Sequence, residues 1–311
     1  MKRKPYRYLL YLGLRGVEGL VALLPRKAAL ALAEGVGELA FLVARRERER
    51  TLAHLKLAYG SEKSESELRE TARQVFLHFA RTAVDTLQLP KLVGSGLESL
   101  IDGKEGLVLL DRLLSEGKGV IALTAHLGNW EFISAFFRSR KYQGAVVGRR
   151  IYYERFDRMI CDLRKRVNVR TIYQDAPARE FLSVLRQNEI LGLLADQDID
   201  RLEGIFVPFF GRPAYTLTAP VKLALATGAP ILPVFLVREG EERYRLLIEE
   251  PIRVEPKGTK EETIEEYTAR WSRVVEEKIR EFPEQWAWMH RRWKTQPAES
   301  QTKEKVGCLS R

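Results

Sequence analysis

Cysteine is nearly missing from the 311 residues. Cys161 and Cys308 are too few and too far apart for a disulfide framework or a zinc site. No run of 18 apolar residues lacks a charge, so a conventional membrane-spanning helix is not expected. There is no G-x-S-x-G and no Walker A pattern, and Cys161 falls in the middle of a helical pattern, so no covalent nucleophile or phosphate loop presents itself. Internal repeats and low-complexity linkers are absent as well. What is present is a 45% apolar content beside a 30% charged fraction, which excludes general disorder and suits one large domain or a domain with an appendage.

Charge is unevenly placed. Residues 1–60 carry 12 basic and 5 acidic side chains, residues 285–311 carry 6 and 2, and the long stretch between is close to neutral. Basic ends attract phosphates of nucleic acid or of anionic lipid, and the surrounding apolar content decides between them. Residues 8–24 are mostly Leu, Val, Gly and Ala, with Arg15 and Glu18 as interruptions; Arg7, Arg15 and Glu18 project within roughly 80° of one another on a helix. Pro25 ends that helix. Residues 26–46 repeat the design, with Lys27, Glu34, Glu38 and Arg45 within roughly 40°. Two such helices pair seam to seam and turn their apolar faces to lipid, or else pack as a hairpin on a soluble core. The charges within the apolar run argue against a cleaved signal peptide, and Leu-rich surfaces do not read nucleic acid. The expected organisation is a membrane-associated hairpin over 1–46, a main domain over 47–297 and a basic tail over 298–311. Flanking Lys and Arg place the hairpin on the cytoplasmic side of a membrane. Cys308 begins only the outline of a prenylation box and is discounted.

The body alternates. Ser64 to Glu67 has the form of a capping box before a helix to about residue 87, where Leu89-Pro90 breaks it. Strands are expected over 120–125, 144–148, 169–173, 190–195, 231–237 and 244–249. Helices are expected over 106–114, 130–140, 153–167, 177–188, 217–226 and 262–281. This is an α/β pattern with a central, largely parallel or mixed sheet flanked by helices. Open sheets of this kind place ligands beyond the carboxyl ends of their strands. There the chain delivers His126, then Arg149-Arg150, then Asp196-Gln197-Asp198.

His126 stands in Thr124-Ala-His-Leu-Gly-Asn-Trp-Glu131. Gly128 permits a sharp turn, Asn129 can cap the helix that follows, and Glu131 then lies in the first turn. The expected arrangement has Glu131 reaching back to one imidazole nitrogen, with the other facing the cleft as a general base. The bland alternative is a satisfied histidine on a buried strand. His54, His78 and His290 have no carboxylate so placed. A base without a nucleophile suggests direct attack by a substrate hydroxyl.

His126-x4-Glu131 resembles the H-x4-D/E motif of glycerolipid-type acyltransferases. The rest of the chain is similar to the bacterial lipid A late acyltransferases, on three further blocks: Asp196-Gln-Asp198 with Gly204 to Gly211 and Ala214, Gly228 to Pro233, and Pro283 to Lys294. The mycobacterial phosphatidylinositol mannoside acyltransferases share much of the pattern. The resemblance implies transfer of a fatty acyl group from an acyl-carrier protein or CoA thioester to a hydroxyl of a membrane glycolipid, at the cytoplasmic face of a bacterial inner membrane, with no cofactor, no metal and no nucleic acid. It gives Arg164 a substrate or oxyanion role, and Arg149 is the second candidate cation. Asp196 and Asp198 are expected to bind acceptor hydroxyls or hold those arginines. Phe206, Phe209 and Phe210 are candidates for an acyl groove or for core, and Arg291, Arg292 and Lys294 for contact with lipid headgroups or an acidic carrier protein. A hydrolase, in which water replaces the acceptor, and a non-catalytic membrane adaptor remain as other classes.

Overall fold

The computed structural model of the chain describes residues 5–297. The expected tail over 298–311 lies outside them. Four helices come first: α1 (Pro5–Leu23), α2 (Arg26–Val43), α3 (Arg45–Tyr59) and α4 (Glu65–Ser95). A short β1 (Ile101–Asp102) and α5 (Leu107–Ser115) lead into the alternating part. This comprises β2 (Val120–Thr124), α6 (Trp130–Ser139), β3 (Gly144–Gly148), α7 (Glu154–Arg166), β4 (Arg170–Tyr173), α8 (Ala178–Arg186) and β5 (Ile190–Leu194). A hairpin of β6 (Gly204–Phe209) and β7 (Arg212–Leu217) follows, then α9 (Ala219–Thr227), β8 (Ile231–Glu239), β9 (Arg243–Ile248) and α10 (Lys260–Glu281).

Seven strands form one sheet in the order β1-β9-β8-β2-β5-β3-β4, and all neighbours are parallel except β8 with β9. Alternate residues of β2 serve two cores. Ile121 and Leu123 pack with Leu185, Val221 and Trp271 on one face, while Val120 and Ala122 pack with Leu110, Phe132 and Phe136 on the other. The sheet is therefore covered on both sides, which is why its central strands read as unbroken apolar runs. Apart from the helix that begins at the Ser64 cap, each expected strand and helix of the body is present within a residue or two.

Two local expectations are corrected. Helix α4 does not stop at Leu89-Pro90 but runs on to Ser95. Interior proline costs about 3 kcal/mol, and burying Leu89 and Leu92 in the core offsets it. The hairpin of β6 and β7 had no strand expectation at all. Its turn places Phe210 at φ +51° and Gly211 at φ +67°, a pair of left-handed residues that sequence reading looks for as Asn-Gly rather than Phe-Gly. The amide of Phe210 donates to Glu276 of α10 at 2.6 Å, which helps hold the strained residue.

The polar seams of α1 and α2 do not face each other. Glu18 of α1 accepts from Arg166 of α7 at 3.0 Å, and Glu34 and Glu38 of α2 pair with Arg81 and Arg73 of α4. Each seam docks on the body. Helix α2 lies close against α4: Gly37 has room only for hydrogen, since a Cβ there would come 2.8 Å from Leu77 Cα. Ala29, Leu30, Ala33 and Phe41 are buried. At the start of α2, Arg26 joins Arg238 and Tyr244 on the carboxylate of Asp85, which has no exposed surface. Removing one partner from such a buried ion group typically costs about 3–5 kcal/mol. The faces turned away from the body stay apolar: Leu9, Leu20 and Leu23 on α1, and Leu32, Leu39, Leu42 and Val43 on α2, are exposed. Among the described residues no helix is long and apolar enough to cross a membrane.

Candidate active site

The register of the sheet assembles the site. β2 and β5 pair in parallel with Thr124 opposite Leu194, so two residues further along each strand His126 and Asp196 emerge side by side. Nδ1 of His126 lies 2.8 Å from Asp196 Oδ1, and the backbone N–H of His126 donates to Asp196 Oδ2 at 2.9 Å. The indole N–H of Trp286 donates to Oδ2 as well, at 2.8 Å. The carboxylate is fully buried. Burial alone would raise its pKa, but the charge on His126, the two hydrogen bonds from that residue and the one from Trp286 outweigh it and hold the pKa below the ordinary range. Asp196 is thus ionised, and because an ionised carboxylate only accepts, Nδ1 of His126 carries the proton between them.

The turn after His126 is built as its residue types imply. Gly128 has φ +65°, and a Cβ there would lie 2.0 Å from Leu236 O. Asn129 accepts from the Phe132 amide as the cap of α6, and its own amide donates to Tyr244. The segment 285–287 pins the turn from the other side, with Ala287 N donating to His126 O and Gly128 N to Gln285 O. This framework fixes the backbone of His126, and the Nδ1 contact with Asp196 orients its ring.

Glu131 is in the first turn of α6, as expected, but it does not touch His126. Its two oxygens accept Nε and Nη2 of Arg164 at 2.9 and 2.6 Å. Both side chains are mostly buried, and although burial pulls the Arg164 pKa down, Glu131 raises it on balance. The reason is topological. Arg164 of α7 reaches the first turn of α6, while the neighbour in register with His126 is Asp196 on β5. The carboxylate partner of the histidine comes from 70 residues away rather than five.

A cleft of about 890 Å³ opens over these strand ends. His126, Trp130, Arg149, Arg164, Gln197, Asp198 and His290 line it, with Val147, Phe181, Leu193 and Leu223 as apolar wall. Behind Trp130 and Leu194 a small apolar pocket of about 60 Å³ lies between α6 and the sheet. Arg149 and Arg291 reach the cleft without an ion pair among the described residues. Among the described residues no Ser or Cys lines it. Among the described residues no group of three or more His, Cys, Asp or Glu is arranged to hold a metal ion.

Other expected site residues are relocated. Asp198 lines the cleft, but its carboxylate accepts the backbone N–H and the hydroxyl of Thr295, at 2.6 and 2.7 Å, and so ties down the carboxyl-terminal segment rather than an arginine. Asp196 likewise holds the histidine and not a cation. Phe209 and Phe210 are buried core residues against Trp286 and Trp288, and Phe206 meets Tyr215 edge to face; none of the three lines the cleft. Arg292 does not face outward. It is buried over the Phe209 ring, donates to Tyr215 O and Thr216 Oγ1, and burial pushes its pKa down to about 10. Arg291 and Lys294 remain at the surface, the latter paired with Asp200.

Three site residues escaped sequence reading: Gln197, Trp286 and His290. The Gln197 amide nitrogen is 3.1 and 3.4 Å from the two ring nitrogens of His126 and 3.0 Å from His290 Nδ1. Trp286 and His290 sit in the carboxyl-terminal block that carries part of the resemblance, but nothing in their spacing places them over β2 and β5.

The family model described as bacterial lipid A biosynthesis acyltransferase matches residues 2–295 of the chain. Over 139 residues the chain is 32% identical to a phosphatidylinositol mannoside acyltransferase of Mycobacterium tuberculosis, covering 43% of this chain and 44% of that protein. The chain thus spans less than half the length of that relative. It is 26% identical over 303 residues to the lipid A biosynthesis lauroyltransferase of Escherichia coli, 94% of each protein. To the lipid A biosynthesis myristoyltransferase of the same organism it is 24% identical over 300 residues, 96% of this chain and 91% of that protein.

Proposed function

The chain belongs to the bacterial lipid A biosynthesis acyltransferase family, and from that premise we propose that it transfers a fatty acyl group from an acyl thioester to a hydroxyl of a membrane glycolipid. The observation that carries this reading is the His126–Asp196 pair at the strand ends, in a cleft that no Ser or Cys among the described residues lines. With a base at the strand ends and no Ser or Cys nucleophile among the described lining residues, the acceptor hydroxyl itself attacks. Nε2 of His126 takes the hydroxyl proton as the oxygen bonds to the thioester carbonyl carbon. Asp196 holds the imidazole in the required tautomer and stabilises the imidazolium. The tetrahedral intermediate then expels the thiolate, the C–S bond breaks, and the imidazolium proton passes to sulfur.

The surroundings suit a phosphate-bearing lipid acceptor. Arg149 and Arg291 offer guanidinium groups at the cleft wall that have no ion-pair partner among the described residues, matched to phosphate oxygens. The apolar walls, and the pocket behind Trp130, provide space for acyl carbons. The exposed leucines of α1 and α2 would lie on the bilayer that holds the acceptor. A lipid A precursor is the preferred acceptor, and a phosphatidylinositol mannoside the second.

The test is to incubate the full chain with an acyl-CoA or acyl-carrier-protein thioester, with and without each of these two lipids, and to follow acylated lipid by mass spectrometry. Acylation of one of them is the expected result. Thioester loss that proceeds equally without lipid would identify a hydrolase instead.

Glu131 acts in this scheme by positioning Arg164. Its fork uses Nε and Nη2, while Nη1 stays beside Gly148 at the end of β3. Glu131→Gln and Arg164→Ala are each expected to lower transfer roughly tenfold or more, with the double variant no worse than the weaker single, as for contacting pairs that interact by about 0.5–3 kcal/mol. The pH midpoint of the rate should not move in either. A midpoint displaced by Glu131→Gln alone would return Glu131 to the imidazole.

A further inference from the structure

Developing charge on the thioester oxygen needs a donor, and among the described residues the fold supplies one beside the base. His290 lies with its ring centre 4.9 Å from that of His126 and lines the same cleft. Its Nδ1 is 3.0 Å from the amide nitrogen of Gln197. An amide nitrogen only donates, so Nδ1 of His290 accepts and its proton resides on Nε2. No hydrogen bond among the described residues takes that Nε2–H, although Nε2 is not sealed from solvent. The Gln197 amide lies against the face of the His126 ring, because a bond along one in-plane lone pair would put the other nitrogen out of range. The in-plane direction of His126 Nε2 is therefore not taken by Gln197, and His290 lines the same cleft as His126.

We propose that His290 is a neutral imidazole donor that hydrogen-bonds the carbonyl oxygen of the acyl thioester as it becomes an oxyanion. The role rests on the acyl-transfer reading above and adds to it a residue that the motif does not contain. Burial, then the positive charge of His126 when protonated, pushes the His290 pKa down to about 4. The proton taken from the acceptor thus stays on His126, and His290 remains a donor that does not itself ionise, as suits a preorganised oxyanion site. Asp196 opposes this shift and His54 supports it.

Substitution separates donor from scaffold. In the full chain, with acyl-CoA as donor and thioester cleavage as the readout, His290→Ala is expected to lower kcat about 10²–10³-fold, the range for loss of one oxyanion donor, with little change in KM. Gln reaches the position of Nε2 and Asn that of Nδ1. His290→Gln should therefore recover a large part of the loss, while His290→Asn, which can still meet Gln197, should not. Undiminished cleavage in His290→Ala, or equal activity in the Gln and Asn variants, would overturn the donor role while leaving the acyltransferase reading in place. A wild-type chain that cleaves no thioester sinks that reading and the donor role with it. The nitrogen-15 imidazole spectrum, which needs no substrate, is expected to show His290 as the neutral Nε2–H tautomer at pH 7; an Nδ1–H or charged ring would overturn the assignment independently.

Discussion

His126→Ala is expected to lose transfer by about 10²–10⁴-fold, the contribution of a positioned general base, with the fold retained at a lowered thermal transition because the buried Asp196 carboxylate loses its imidazole partner. The imidazole packs against Trp130 and His290 at the cleft surface rather than in either core, so its removal opens no sealed cavity. Its backbone N–H still donates to Asp196, and the Trp286 indole still covers that carboxylate. The remaining charge is thus paired by two N–H donors. Transfer is measured as acylated lipid, and stability as the midpoint of thermal unfolding. Retention of more than about a tenth of wild-type transfer, well short of a missing base, would mean that His126 is structural and that the proton goes elsewhere.

Asp196→Asn should come close to this loss by a different route. The carboxylate accepts three N–H bonds, from Nδ1 and N of His126 and from Trp286. An amide presents only one acceptor oxygen, so its NH2 must meet a donor or force the histidine into the other tautomer. With the proton moved to Nε2 the base faces the cleft already protonated; in the serine protease triad the corresponding Asp-to-Asn change lowers turnover by about 10⁴-fold. Here a loss of at least about 10²-fold in kcat is expected, together with a lowered thermal transition, because one buried donor is left unmet at a cost of about 1–3 kcal/mol. Glu131→Gln, measured beside it, should spare the pH midpoint. If Asp196→Asn turned over normally and Glu131→Gln did not, the carboxylate of the H-x4-E motif would be the partner after all, and the resting geometry would not be the working one.

The chain by itself determined a good deal. Apolar runs bounded by polar exits specified the strands, because a strand covered on both faces must be apolar at every position. The glycine and asparagine after His126 specified the turn, since only glycine tolerates that left-handed conformation at such close approach. The amphipathic first helices were legible from the angles of a few charges, and His126 from its place at a strand exit. What only the tertiary structure decided is which side chains meet. Register across β2 and β5 chose Asp196 over Glu131 as the partner of His126. The placement of Arg164 on α7 gave it Glu131 as partner, and the return of residues 283–295 over the strand ends brought in Trp286, His290 and Thr295. Local spacing describes a strand, a turn or a helix face, because those contacts span few residues. It carries no information on pairing between strands 70 residues apart, which is settled by the sum of packing across the whole sheet.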